Sequence, residues 1–199
     1  MKVQMQNARI AFAQGLFKAT ALQEGQTKKF GASFIIEKGK TKIFMVNPDG
    51  KKVATTMENV LEAVAEETWP GVGKKMLNAL ESNKKCYREG SKHVDKAGDI
   101  YAGFEGNMYV SAKNTRRPAL FDRDLTPLTE ESGKPYSGCY GTVNIEVYGL
   151  KDATKKGIHA SLSGVQFTAD GESLGGGGSV ATETDFEPIA APDDDFLAD

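Results

Sequence analysis

Tyr101, Phe104 and Tyr109 lie just upstream of Lys113, Arg116 and Arg117. A single-stranded nucleic acid asks two things of a protein: cations that track its backbone and flat aromatic faces on which bases stack. This stretch offers both, interleaved. Tyr136 and Tyr140 flank the end of the long connection that follows, and Tyr148 stands on the polar side of a strand pattern. Each ring also has an ordinary alternative, a place in the core. Phe12, Phe30, Phe34, Phe44 and Phe167 are expected there. For Tyr109 and Tyr148 both readings stay open, because each falls on the polar side of an alternation. Pro118 holds the residue before it extended, which splays Arg116 and Arg117 outward, either toward phosphates or simply into solvent.

Other chemistries find little support. His93 and His159 are far apart and sit in no metal-ligand spacing. No GxxxxGK[ST] loop is present, and the run from Gly175 to Gly178 leads into acidic sequence rather than a helix, so it reads as a linker. Carboxylates pair at Glu66-Glu67, Asp122/Asp124 and Glu130-Glu131. A nuclease would need such acids to converge on a metal, and the first pair continues a helix pattern as a solvated face. Cys86 and Cys139 make no disulfide framework and no CxxC. No catalytic residue, metal or cofactor is expected, and the chain is not expected to be an enzyme.

The charge is unevenly spread. The net charge is −2 over 199 residues. Residues 170–199 hold nine acids and no Lys or Arg, which leaves 18 acids against 25 bases in residues 1–169, a formal charge of +7. A basic body with an acidic tail suggests a polyanionic partner, with a tail that competes for the same surface or recruits something else. Within the tail, Asp193, Asp194 and Asp195 precede Phe196 and Leu197. A solubilising segment gains nothing from that apolar pair, whereas a docking peptide would use it as an anchor. No apolar run is long enough to span a bilayer and the N-terminus lacks a signal-peptide core, so no membrane association and a cytoplasmic location are expected.

Several elements must position these residues. Phe30, Ala32, Phe34 and Ile36 alternate with Gly31, Ser33 and Ile35, and Lys42–Val46 reads as a second strand before the Asn47-Pro48-Asp49-Gly50 turn. Thr55 or Thr56 can cap a helix with Met57, Val60, Leu61, Val64 and Ala65 on one face. A shorter helix carries Val72, Met76, Leu77 and Leu80, with Trp69 at the junction as a core anchor. Residues 82–99 are polar and basic and read as a loop. Asp99 to Lys113 returns to strand character, with Met108, Val110 and Ala112 on one face. Residues 114–137 look like a long β-hairpin arm or lid. Val143, Ile145 and Val147 alternate with polar residues in the clearest strand, and a last one runs from Gly157 to Phe167 with Ile158, Ala160, Leu162 and Gly164 on one face.

Three groups of residues carry a family resemblance. One is Arg116-Arg117-Pro118, followed by Lys134-Pro135-Tyr136-Ser137-Gly138-Cys139-Tyr140 and Val143-Asn144. The second runs from Gly157-Ile158 through Leu162 to Gly164-Val165-Gln166-Phe167, then Leu174-Gly175-Gly176. The third is the acidic tail with Phe196 near its end. In these the chain resembles a family of phage single-stranded-DNA-binding proteins with an OB fold, most specifically over 112–176. Many such tails end at or beside an aromatic residue, whereas Leu197-Ala198-Asp199 follow Phe196 here.

The expected architecture is therefore mainly β: a five-stranded OB barrel with a helical insertion and a long hairpin arm over residues 1–174, then a Gly-rich linker and disordered acidic tail over 175–199. The resemblance implies sequence-tolerant coating of single-stranded DNA in replication, recombination or repair, with Asp193, Asp194, Asp195 and Phe196 recruiting replication or recombination proteins. Duplex DNA or RNA could bind as well, since backbone electrostatics separates them poorly, and a homodimer is compatible with the pattern. The alternatives are a metal-dependent nuclease or resolvase, which requires a buried acidic cluster, and a protein–protein adaptor with no affinity for oligonucleotides.

Overall fold

The computed structural model describes residues 1–21 and 24–174. The chain opens with a ten-residue strand, β1 (Lys2–Ala11), that period-two reading of the later segments does not anticipate. Its inward residues are Val3 and Met5, then Ala8 and Ile10. The phase shifts by one because the ladder to the partner strand is irregular between Met5 and Ala8, where Asn7 takes a left-handed φ of 56°. A one-turn helix, α1 (Gln14–Phe17), buries Leu16 and leads to β2 (Phe30–Ile36). The hairpin β3 (Lys42–Val46) and β4 (Lys52–Thr55) turns at the expected Asn47–Gly50 segment.

The helix predicted after it forms as α2 (Met57–Thr68). Thr56 caps it, its side-chain oxygen accepting from the Asn59 N–H at 3.3 Å. Met57, Val60, Leu61, Val64 and Ala65 are all buried, as the three-and-four spacing requires. The second helix, α3 (Gly73–Ala79), buries Leu77, and Trp69 packs against the core. The basic segment 82–99 is more ordered than a loop. Between two 3-10 turns it contributes an edge strand, β5 (Tyr87–Glu89). The strand expected from Asp99 begins only at Met108, as β6 (Met108–Asn114), and residues 101–106 run in turns instead. Then follow β7 (Ala119–Phe121), a 3-10 turn at Glu130–Ser132, β8 (Tyr140–Leu150) and β9 (Gly157–Ala169).

The architecture is mainly β, as expected, but the described residues form nine strands rather than five and the sheet is not closed. Neighbouring strands run β5-β6-β2-β1-β8-β9-β7, with the β3–β4 hairpin branching from β1. β1 is central: residues near its start pair with β3, those near its end pair with β2, and its other edge pairs with β8. The sheet curls until β9 approaches β5 and β6. The gap is bridged by single hydrogen bonds, Cys86 N–H to Ile158 O at 2.8 Å and Asn114 Nδ2 to Leu162 O at 2.9 Å, while Cys86 O accepts from the Ser111 N–H of β6 at 2.8 Å.

The inner face holds one core built from Val3, Met5, Ile10, Phe34, Val110, Val143, Ile145, Val147, Leu162 and Phe167, with α2 closing one end. On β9 the predicted face is right as far as Leu162. A bulge at the β8–β9 ladder then brings Val165 and Phe167 inward in place of Gly164. The free-standing hairpin arm over 114–137 is not found. Instead β7 lies parallel to β9, Leu120 is buried, and the hairpin-like pairing there is limited to the short return at Phe121 and Pro127. The reason is apolar: Pro118 and Leu120 are buried and hold the connection on the body. The linker and acidic tail expected at 175–199 lie outside the described residues.

Candidate nucleic-acid interface

One row of cross-strand partners fixes the outer face of the sheet. Arg88 pairs with Tyr109, Tyr109 with Ile35, Ile35 with Arg9 and Arg9 with Tyr140. Directly paired residues share a face, so these five side chains share the outer one. Ile35 explains why β2 does not alternate cleanly. It is buried on the outer side, in a second cluster with Ala11, Phe104 and Tyr109, while Phe34 is buried on the inner side.

Over that second cluster lies a layer of rings. Phe12 sits 5.1 Å from Tyr101 and 5.7 Å from His93, edge to face in both cases. His93 in turn lies 4.8 Å from Phe104 and 4.9 Å from Tyr109. The stack thus has a floor, Phe104 and Tyr109, which are 1% and 2% exposed, and a roof, Phe12, which is 41% exposed, with His93 and Tyr101 half-buried between. Val94 and Ile100, bridged to one another, add exposed apolar surface nearby. Phe12 takes a φ of 58°, a left-handed conformation that costs a non-glycine residue about 1–2 kcal/mol. The fold holds the ring outward at that cost.

The positions expected from sequence therefore exchange. Phe104, and Tyr109 for which both readings stood open, are buried, Tyr109 because residues 90–107 cover the polar side of its strand. Phe12, expected in the core, is the open ring. Tyr101 remains on the surface layer. Tyr136 does not join the site. Its hydroxyl donates to Asp170 Oδ1 and Gly171 O and accepts from the Gly171 N–H, latching the segment after β9. Tyr148 is 39% exposed at the far end of β8.

Cations line the same face. The Arg88 guanidinium lies 5.3 Å over the Tyr109 ring, and its Nε is buried with no hydrogen-bond partner. Lys113 stands two outward positions beyond Tyr109, its stem against Gly31, where a Cβ would come within 2.7 Å of Lys113 Cγ. Desolvation of its ammonium, then the nearby charges of Arg88 and Lys29, push the Lys113 pKa down. Among the described residues none of Lys29, Arg88 and Lys113 has an acidic partner within ion-pair distance, so the three repel one another without a counter-anion. Arg116 and Arg117 continue the track from the end of β6, both exposed. By contrast Arg9 is neutralised. It faces Glu37 at 3.7 Å and donates to Gly138 O and Glu172 O.

Sequence reading missed Phe12, Lys29, Arg88 and His93 as members of this face. The basic run at 82–99 was the available signal for Arg88 and His93, but nothing local showed that it would fold back over β6. Burial first, then Arg88, holds the His93 pKa below its ordinary value, and its Nδ1 lies 3.3 Å from the Tyr109 hydroxyl. Among the described residues no three His, Cys, Asp or Glu side chains gather to hold a metal, and no helix is long and apolar enough to cross a membrane. Both cysteines are buried, and burial pushes their thiols up, to about 12 for Cys86 and about 11 for Cys139.

A curled β-sheet with rings and uncompensated cations on its outer face has the fold of phage single-stranded-DNA-binding proteins. The single-stranded-DNA-binding protein of bacteriophage Enc34, solved in complex with single-stranded DNA, superposes with a TM-score of 0.66 at 19% identity, over 87% of this chain and 89% of that one. A second structure of that protein gives 0.62 at 18% identity, over 90% and 87%. In sequence the chain is 34% identical over 200 residues to protein p50 of Acyrthosiphon pisum secondary endosymbiont phage 1, covering 99% of this chain and 98% of that protein. The chain belongs to the family described as Enterobacter phage Enc34, ssDNA-binding protein, whose pattern matches residues 1–197.

Proposed function

We propose that this chain coats single-stranded DNA without sequence specificity in phage replication or recombination, in the host cytoplasm and without catalysis. The observation that carries the reading is the set of Arg88, Lys113 and Lys29, unpaired by any acid among the described residues and set beside an aromatic layer whose outermost ring, Phe12, is open. Phosphates would relieve the repulsion among the cations while bases stack on Phe12 and Tyr101. Arg116 and Arg117 extend the phosphate track. Phe104 and Tyr109 act beneath, as the floor that fixes the outer rings.

Fluorescence anisotropy of labelled single-stranded and duplex oligonucleotides of equal length, across a salt series, tests this. Tight, salt-steep binding that prefers the single strand is expected. Absence of binding at low salt would sink the reading and favour an adaptor, and Mg²⁺-dependent cleavage would favour a nuclease. For the tail, Asp193, Asp194, Asp195 and Phe196 serve either to recruit replication or recombination proteins or to occupy the basic face when DNA is absent. Removing residues 179–199 tightens DNA binding at low salt in the second case and leaves it unchanged in the first.

A further inference from the structure

A second set of rings and cations lies at the other end of the same outer face. Alternation along β8 carries that face from Tyr140 through Thr142, Asn144 and Glu146 to Tyr148, with Val143, Ile145 and Val147 buried between. Tyr148 pairs with His159 of β9, and their rings are 5.9 Å apart. The His159 Nε2 lies 3.0 Å from Lys155 O, which fixes the ring against the β8–β9 turn. That turn carries Lys151, Lys155 and Lys156, and the bridge from Lys85 to Ile158 brings Lys84 and Lys85 to the same edge. Among the described residues none of these five lysines forms an ion pair. The acids nearby are Asp152, which accepts from the Thr154 and Lys155 N–H groups, and the exposed Glu81 and Glu146, none of them within ion-pair distance of these lysines.

We infer that Tyr148, His159 and the surrounding lysines form a second subsite for the same DNA strand, which leaves the Phe12–Arg88 face across the gap between β5 and β9. This rests on the reading above and deepens it. Cys86 and Ile158 are hydrogen-bonded neighbours across that gap. Arg88 is two residues from Cys86, and Tyr148 is one strand beyond His159. At about 3.3 Å per residue and 4.8 Å per strand, Arg88 and Tyr148 are on the order of 10–15 Å apart. A strand advancing about 3.4 Å per nucleotide crosses that in three or four steps. A strand of about 3 nucleotides, two steps or roughly 7 Å long, can then occupy only one subsite at a time, whereas one of about 15 engages both, within the range of about 4–16 nucleotides that such folds cover.

The test compares thymidine oligomers of about 3 and about 15 nucleotides on the full-length protein. Combined Lys151→Ala, Lys155→Ala and Lys156→Ala should weaken binding of the longer oligomer about 5- to 20-fold and reduce its salt slope by about 2, since each phosphate contact contributes about 0.7 for a single strand. Binding of the shorter oligomer should stay within about twofold of the parent, given its preference for the Phe12 face. Tyr148→Ala should repeat the length-selective loss with an unchanged melting temperature, since its ring is half open. Equal losses at both lengths, or none at either, would overturn the inference while leaving the proposed function standing. Failure of the parent protein to bind either oligomer would instead remove the proposed function, and this subsite with it.

Discussion

Phe12→Ala is the substitution that most directly separates binding from folding. The ring is 41% exposed and held by edge contacts to Tyr101 and His93 at 5.1 and 5.7 Å. If one base stacks on it, its loss costs about 1–3 kcal/mol of binding, or about 5- to 150-fold in Kd. Folding loses less than a core truncation would, because two edge contacts contribute about 0.5–1.5 kcal/mol each. Alanine keeps the unfavourable φ of 58°. Glycine adopts the same φ without the Cβ penalty, which returns about 1 kcal/mol. Phe12→Gly should therefore be more stable than Phe12→Ala while binding DNA just as poorly. Urea midpoints and anisotropy with a labelled thymidine oligomer read the two effects separately. Parent-like affinity in Phe12→Ala at every salt concentration would refute the assignment of this ring as the stacking face.

Tyr109→Ala and Phe104→Ala should each destabilise by about 3–5 kcal/mol, because both rings are nearly fully buried, and a urea titration reads this directly. Arg88→Ala should weaken DNA binding and flatten the salt dependence by about 0.7 for each lost phosphate contact, as seen in anisotropy across a salt series. His93 is held below its ordinary value of 6.5 by burial and Arg88. In the unfolded chain it takes up a proton at higher pH than in the folded one, so stability should fall as pH drops below about 6.5 and stop falling through this group once the folded form is protonated too. The urea midpoint of His93→Gln should lose that part of the pH dependence. Cys86 and Cys139 should resist a maleimide in the native protein and react after denaturation, since burial keeps both as neutral thiols.

What sequence showed and what it hid divides along one physical line. Elements with a single buried face were legible. Met57, Val60, Leu61, Val64 and Ala65 on α2, with Thr56 as its cap, and Val143, Ile145 and Val147 on β8 follow directly from periodicity. Elements covered on both sides were not. β2 buries Phe34 inward and Ile35 outward, and Tyr109 sits on the polar side of β6 yet beneath the fold of residues 90–107. Period-two reasoning assumes that one face meets water, and here a distant segment takes water's place. β1 escaped notice because the irregularity near Asn7 breaks its alternation. The cations Lys113, Arg116 and Arg117 were found because charge patterning is local. Lys29 and Arg88 required the ladder that brings β2 and β5 to opposite edges of β6.

The central position of β1 has a consequence in time. The strand is made well before the partner for one of its edges, β8, whose Glu146 pairs with Lys2. At about 5–20 residues per second, that edge waits roughly 7–30 s for its partner to be synthesised. During the wait it presents unpaired N–H and C=O groups in a ten-residue strand, a template for pairing with another nascent chain. Lys2, Gln4, Gln6 and Arg9 alternate along it, so one side of the waiting strand is polar throughout. Protein released before residue 146 should accumulate as aggregate, whereas protein released after β9 should fold.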